Sequence, residues 1–366
     1  MSTLYEDVNG RNVTYCPVSE IYKKYVLSLT YGVVFMFGLG LNGTLLCLLC
    51  GRTRRWSCSL IFLVNLAVAD LLYVLTLPLL LVSYAMEDKW PFGDFACKAV
   101  RFLFYANLHC SMMFLMCISV HRFLGVCYPI RAMTYKTKRT AVLVSASVWI
   151  LVAVEILPTF AFAHTGLISN ITVCFDMTSP GDFHRYLPYG LFLTVIGFFI
   201  PLVVISICCC SMVRALVGGQ YNIQVGQQMR TKSARTIVMV CLLFVICFVP
   251  YHITRTVYLL VRTYLISNCQ VLNGVMLAYK IWRPIVSFNS CINPILYFTC
   301  SNRQRRVLFG QLCKKKVHPS VCTVQASPRD EQPYARRATP SGKSIREELQ
   351  GSYLTIIKKE GAAVLR

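Results

Sequence analysis

The chain has 366 residues, of which 56% are hydrophobic and only 14% charged. Soluble domains carry roughly a quarter charged residues, so this balance excludes an ordinary cytosolic protein and points to a bilayer. A net charge of +22 would suit a nucleic-acid binder, but the basic residues sit in the short connections between apolar stretches, so no nucleic-acid partner is expected.

Residues 1–25 form an outer tail. Its first 16 residues, "MSTLYEDVNGRNVTYC", hold no apolar run of the kind a cleaved signal peptide needs, so the first spanning stretch is expected to act as the targeting signal. Seven apolar stretches follow, at 26–50, 59–84, 99–122, 140–163, 186–213, 234–261 and 273–299. Each exceeds the roughly 20 residues that cross a bilayer as a helix. The predicted fold is therefore an all-α membrane protein, a seven-transmembrane-helix bundle over residues 26–300. Residues 301–316, beginning "SNRQRRVLFGQLC", read as an amphipathic helix on the inner leaflet, with Cys313 beside Lys314, Lys315 and Lys316 as a palmitoylation site. Residues 317–366 read as a disordered cytoplasmic tail whose serines and threonines suit phosphorylation.

Charge gives the orientation. With the N-terminus outside, the inner connections carry Arg52, Arg54, Arg55, Arg131, Lys136, Lys138, Arg139, Arg214, Arg230, Lys232 and Arg235. The outer ones hold only Lys89, Arg185 and Arg262, offset by Glu87, Asp88, Asp94 and Asp176. Basic residues stay on the cytoplasmic side and meet anionic membrane lipid there. Of 19 cysteines, this topology leaves Cys16, Cys97, Cys174 and Cys269 outside, where disulfides persist. Four cysteines allow three pairings. Cys97 with Cys174 would pin the second outer loop over the bundle, and Cys16 with Cys269 would then tie the N-terminus to the third. Asn12 and Asn170 head outer glycosylation sequons, whereas the sequon at Asn42 is buried in the first span.

Polar residues inside the spans carry the functional signal. Arg101 lies in the outer part of the third span, with Phe104 and Tyr105 one turn on. His252 and Arg255, beyond Pro250, lie in the outer third of the sixth, and Lys280 and Arg283 in that of the seventh. An arginine well inside a bilayer costs about 2.5–3.5 kcal/mol on insertion scales and so normally faces the bundle interior. Gathered like charges repel unless an anion joins them. Asp176, two residues past Cys174, is a resident lid carboxylate in this reading but does not balance four cations. Guanidinium forks suit phosphate oxygens, and Phe104, Tyr105 and Tyr258 offer flat surface for a base, so the set suggests a nucleotide.

Deeper, Asp70 in "LAVADLLYVLTLP" shares the membrane interior with Asn42, Ser111, Asn289, Ser290 and Asn293. A buried carboxylate needs partners. A hydrogen-bonded network is expected, and within it an allosteric sodium ion on Asp70 and Ser111, with Asn289 and Ser290 close by. Pro78, Pro158, Pro201, Pro250 and Pro294 are expected to kink five helices. Glu155 and His109 have no partner legible in the sequence.

With these motifs placed, residues 25–315 resemble the rhodopsin-like G-protein-coupled receptors: Asn42, "LAVAD", Arg122, Trp149, Pro201, Pro250 and "NPILY" match that family's one marker per helix, in order. Within it the chain resembles the metabotropic purine and pyrimidine nucleotide receptors through "KWPFGDFACK", "RFLFYANLHCSMMFLMCISVHRFLG", the "HITR" of 252–255 and the "AYKIWRP" of 278–284. The resemblance implies that Arg101, Phe104, Tyr105, His252, Arg255, Lys280 and Arg283 hold an extracellular nucleotide; four cations roughly match the charge of about −4 on a nucleoside triphosphate, so UTP or ATP is expected before UDP or ADP. It implies a switch through Arg122, Asn293 and Tyr297 to a heterotrimeric G protein of the Gq type, with calcium release, and receptor kinases and arrestin as further partners. It implies no enzymatic activity. His121 replaces the acid that usually precedes Arg122, Phe248 stands where many members have tryptophan, and Asn293 stands where many close nucleotide receptors have aspartate. The same fold could instead serve a dicarboxylate, lysophospholipid or leukotriene. An anion transporter is disfavoured because the cations occupy only the outer half.

Overall fold

The computed structural model describes residues 3–6, 12–15, 22–52, 56–168, 170–217, 226–264 and 269–300. Six helices in it are long and apolar enough to cross a membrane: α1 (Tyr25–Leu49), α2 (Cys58–Ala85), α3 (Gly93–Cys127), α4 (Lys138–Phe162), α5 (Phe183–Val217) and α6 (Ala234–Tyr264). The seventh, α7, is built from Cys269–Ser287 and Asn289–Cys300. The predicted spans recur within a few residues. The helices outrun them at their ends because polar terminal turns still close backbone hydrogen bonds. α3 is the central helix, packed on α2, α4, α5 and α6, while α7 closes the bundle against α1 and α6. Large apolar residues such as Met36, Leu143, Ile150, Val203 and Val245 stay exposed on the outer faces. This belt is what a lipid-facing surface requires.

Proline accounts for the irregularities. α2 breaks at Leu75 and Thr76, just before Pro78, and α4 breaks between Ile156 and Thr159, around Pro158. α5 and α6 instead widen into π turns, at Val195–Phe199 and Phe244–Phe248, which end just before Pro201 and Pro250. A proline ring clashes with the carbonyl four residues back and offers no N–H to it, so the preceding turn opens. α7 is interrupted at Phe288, four residues after Pro284, and carries Pro294 within its last segment without a break.

Two antiparallel hairpins lie among the described residues: β1 (Thr3–Glu6) with β2 (Asn12–Tyr15), and β3 (Thr165–Ile168) with β4 (Ile171–Cys174). The sequence revealed neither, because four-residue strands leave almost no periodic trace. The β3–β4 hairpin is tied down at three points. The Trp90 N–H donates to the Thr172 carbonyl at 2.8 Å, the Thr165 N–H donates to Asp94 Oδ1 at 2.8 Å, and Cys97 and Cys174 form the expected disulfide. Asn170 is exposed at the tip with φ 62°, a conformation asparagine tolerates better than most residues. Asn42 is fully buried and its amide donates to the Gly38 and Ser290 carbonyls. Cys16, the side chains of Asn12, Cys269 and Tyr297, the amphipathic stretch with Cys313, and the tail lie outside the described residues.

Candidate functional site

The disulfide brings the chain just after β4 down between the outer ends of α3 and α7. There Arg101 donates from Nε to the Phe175 carbonyl and from Nη2 to the Cys174 carbonyl, both at 3.0 Å. These bonds fix both the arginine and the strand end. The next residue, Asp176, lies between two helices: its Oδ1 is 2.7 Å from Arg283 Nη2 and 3.3 Å from Arg101 Nη1, and its Oδ2 accepts the Tyr279 hydroxyl at 2.7 Å. Burial alone would raise the proton affinity of Asp176. Arg283, then Arg101, Tyr279 and Lys280 outweigh it and hold the carboxyl below its ordinary value of 3.8. The lid carboxylate expected from sequence is thus present and ionised.

Below and beside it opens a cavity of about 270 Å³, lined by Arg101, Lys280 and Arg283 with Tyr31, Tyr84 and Trp90. Three of the four expected cations therefore share one cavity, with Asp176 between Arg101 and Arg283 and with Glu87 and Asp88 elsewhere on its wall. A charged cavity roofed by a disulfide-pinned loop and floored by aromatic rings suits a multiply charged anion.

The fourth cation is elsewhere. Arg255 turns toward α5, donating from Nη1 to the Gly190 carbonyl and Thr194 hydroxyl, each at 3.1 Å, and from Nη2 to the Tyr186 hydroxyl at 2.9 Å. His252 stacks on Phe198 with ring centroids 4.3 Å apart and is buried, away from the cavity that Arg101 and Arg283 line. Phe104 and Tyr105 also differ from expectation: the Arg283 guanidinium lies 5.0 Å from the Phe104 ring and that of Arg255 5.5 Å from Tyr105. The two rings seat the cations rather than facing open space, because an aromatic face lowers the cost of a buried guanidinium. Tyr258 stacks on Tyr279 at 5.4 Å and borders a second, smaller chamber. Tyr279, which grips Asp176, escaped the sequence reading; its position directly before Lys280 in "AYKIWRP" was the available signal.

The deeper network exists, with altered membership. Asp70 Oδ1 accepts the Asn107 amide at 2.7 Å, and the Asn293 amide donates to both carboxylate oxygens at 3.0 and 3.3 Å. Ser111 accepts from Asn293 at 3.5 Å instead of meeting Asp70, and Ser290 donates to Asn107 and Asn289. Asn107, one turn before Ser111, was missed: helical spacing marks both positions as facing inward and does not rank them. At the inner end, His121 shares a 3.0 Å hydrogen bond with Ser59, so α3 is tied to α2 where an ion pair to Arg122 would otherwise form. His109 and Glu155, each without a partner in the sequence reading, have each other: Nδ1 and Oε1 are 3.1 Å apart in the buried contact of α3 with α4.

These features match known proteins over most of the chain. The family described as "7 transmembrane receptor (rhodopsin family)" matches residues 41–297. Purinoceptor 6 of Rattus norvegicus is 45% identical over 300 residues, which is 81% of this chain and 91% of the relative. Purinoceptor 3 of Meleagris gallopavo is 41% identical over 319 residues, 86% and 97% of the two chains. Purinoceptor 4 of Homo sapiens is 42% identical over 301 residues, 81% of each. All three relatives carry the same subtype letter, Y. The protein is a multi-pass membrane receptor: it belongs to the rhodopsin family of seven-transmembrane receptors and, within it, to the Y-type purinoceptors.

Proposed function

We propose that this receptor sits in the plasma membrane with its N-terminus outside and its C-terminus in the cytoplasm, and that its ligand is an extracellular nucleotide whose phosphates take the place of Asp176. The observation that carries this is the Asp176 carboxylate held between Arg283 and Arg101 over a cavity that Lys280 also lines. An acidic side chain there makes the contacts a phosphate oxygen would make, and a phosphate makes more of them. The relatives' common name, purinoceptor, supports the same ligand class.

A ligand shifts only an equilibrium between states it binds differently. In the closed state the phosphates would hold α3 and α7 together through Arg101, Lys280 and Arg283 and draw Arg255 away from Tyr186 and Thr194. A nucleoside triphosphate recruits all four cations, so UTP and ATP should outrank UDP and ADP. Movement of α6 about the π turn before Pro250 would open the inner face beside Arg122 to a G protein of the Gq type. Asn293 and Tyr297 belong to that inner switch, and receptor kinases and arrestin would act on the tail. Glycans at Asn12 and Asn170 and an acyl chain on Cys313 complete the reading. A sodium ion would be held by the Asp70 carboxylate with oxygens of Ser111, Asn289 and Ser290, a hard-ligand set that fits it. Its role there would be to stabilise the resting arrangement.

The test is intracellular calcium in non-responding cells carrying the chain, challenged with ATP, UTP, ADP and UDP beside Arg283→Ala at matched surface level. A nucleotide response lost in the variant supports the reading. Silence to all four, repeated with a promiscuous G protein, overturns it.

A further inference from the structure

The inner end of α3 holds two cations unlike the others on that side. Lys138, Arg139, Arg214 and Arg235 are exposed, as topology alone requires, whereas Arg122 and Lys136 are partly buried. After α3 the chain turns through a short helix, Pro129–Tyr135, and returns so that the Lys136 ammonium lies against Gly125, in the space a side chain there would fill. The next residue is fixed. The Cys58 thiol donates to the Thr137 carbonyl at 3.3 Å, and the Thr137 hydroxyl accepts the Thr140 N–H at 3.1 Å. Burial, and after it the Arg122 guanidinium, hold the Lys136 ammonium below its ordinary value of 10.5. Among the described residues no carboxylate answers the two cations: neither side chain has a hydrogen bond or ion pair, and Arg122 Nε is buried without one. His121 is turned to Ser59 instead. The inner segments 51–58, 122–139, 214–235 and 300–329 contain no Asp or Glu at all; the first acid beyond α7 is Asp330. Two neighbouring cations taken partly out of water repel, and each needs a counter-charge.

We propose that Arg122 and Lys136 form a phosphate site, filled by the phosphate monoester of an inner-leaflet lipid headgroup, which supplies the negative charge that His121 does not. The proposal rests on the orientation given above, which puts this end of α3 in the cytoplasm, and not on the nucleotide reading. A guanidinium fork with an ammonium beside it fits the oxygens of one doubly charged phosphate. A phosphodiester headgroup, with a single negative charge on its phosphate, offers less. The exposed Lys138 and Arg139 follow Lys136 closely, so a headgroup meets a cationic approach at the membrane surface. Bound there, it occupies the face beside Arg122 that a G protein would enter.

The experiment measures, by native mass spectrometry, how tightly the purified full-length receptor holds a bisphosphorylated inositol lipid and phosphatidylserine. The inositol lipid should be favoured by about tenfold or more, as hydrogen bonds to charged groups allow. Lys136→Gln should weaken it by about tenfold, and so should His121→Asp, which sets a carboxylate beside Arg122 in the phosphate's place. Arg139→Gln, which removes an exposed cation, should stay within about threefold. Equal affinity for phosphatidylserine overturns the monoester assignment. Unchanged binding in both Lys136→Gln and His121→Asp, or an equal loss in Arg139→Gln, overturns the site, because general surface charge would then hold the lipid. Inorganic phosphate that displaces the lipid at equal concentration overturns the lipid source in favour of a soluble one. Staining of a C-terminal tag only after cells are permeabilised checks the orientation separately, so its failure and that of the site are told apart.

Discussion

Two buried polar clusters lie along the same bundle and are built to opposite plans. The outer one clamps Asp176 between Arg101 and Arg283 and opens into a cavity whose wall also holds Lys280, Glu87 and Asp88. The inner one gathers amides and hydroxyls around Asp70, whose oxygens accept from Asn107 and Asn293. Ionised groups beside open volume make a receiving site. Charge satisfied by neutral donors in packed surroundings makes a joint between helices, in this case α2, α3 and α7. The difference shows why intramembrane polarity alone does not mark a ligand site; ionised groups with space beside them do.

The contrast predicts variants of unequal size. The largest effect belongs to Arg283→Ala, which leaves Asp176 short of its nearest cation: truncating one partner of a buried charge pair costs about 2–5 kcal/mol, so nucleotide potency should fall by roughly a hundredfold at equal surface level. A loss below threefold would show that the cavity is not the phosphate site. Arg255→Ala should cost less, about tenfold, because that arginine is already satisfied by Tyr186 and Thr194 and must be drawn away. If potency were unchanged, Arg255 would be a structural brace of α5 and α6 alone.

Asp176→Asn should act in the other direction. The ligand no longer displaces a charged group, so binding should tighten by roughly tenfold while the unliganded receptor melts lower. The sign with pH follows from the same pairing. The folded-state carboxyl is held below 3.8, so its stabilising contribution is present above the unfolded value and is lost only as pH falls through the lower, folded one. Affinity should therefore stay flat from this source between about pH 5 and 8, and a step in that window absent from Asp176→Asn would contradict the ionised latch.

Within the inner cluster, Asn293→Asp removes the two hydrogen bonds that the Asn293 amide gives Asp70, leaves the one from Asn107, and adds a second carboxylate. It should lower stability by about 1–3 kcal/mol, read as a thermal midpoint, with nucleotide affinity barely moved. The smallest effect concerns sodium: if Asp70 holds the ion, exchanging sodium for a bulky organic cation lowers the melting temperature of the intact receptor and leaves Asp70→Asn unaffected. Equal shifts in both would remove the ion from that site.

The legible part of the site followed from cost. Arg101 and Arg283 had to face inward because lipid would not accept them, and the cysteine topology named the loop that would cover them. Asp176 was legible for the same reason, lying two residues beyond Cys174. Arg255 was not. Its spacing from His252 fixed which way both point from α6, but whether phosphate or Tyr186 awaits there depends on how α5 stands beside α6. Phe104 and Tyr105 were read as facing a ligand, since one sequence cannot distinguish an aromatic ring that lines a space from one that fills it. His109 and Glu155 were two unexplained residues 46 apart until α3 and α4 lay side by side.

The sequence by itself determined the seven apolar spans, the irregularities near Pro78, Pro158, Pro201 and Pro250, the bias of charge between the connections, and the residues too polar to face lipid, because each of these follows from local hydropathy and backbone chemistry. Tertiary structure alone decided the partners: Asp176 with Arg283, Asn107 with Asp70, Arg255 with Tyr186, and the division of the outer pocket into two chambers. Those depend on which helix faces meet, and in a membrane that choice rests on packing and hydrogen bonding between helices, which no single segment encodes.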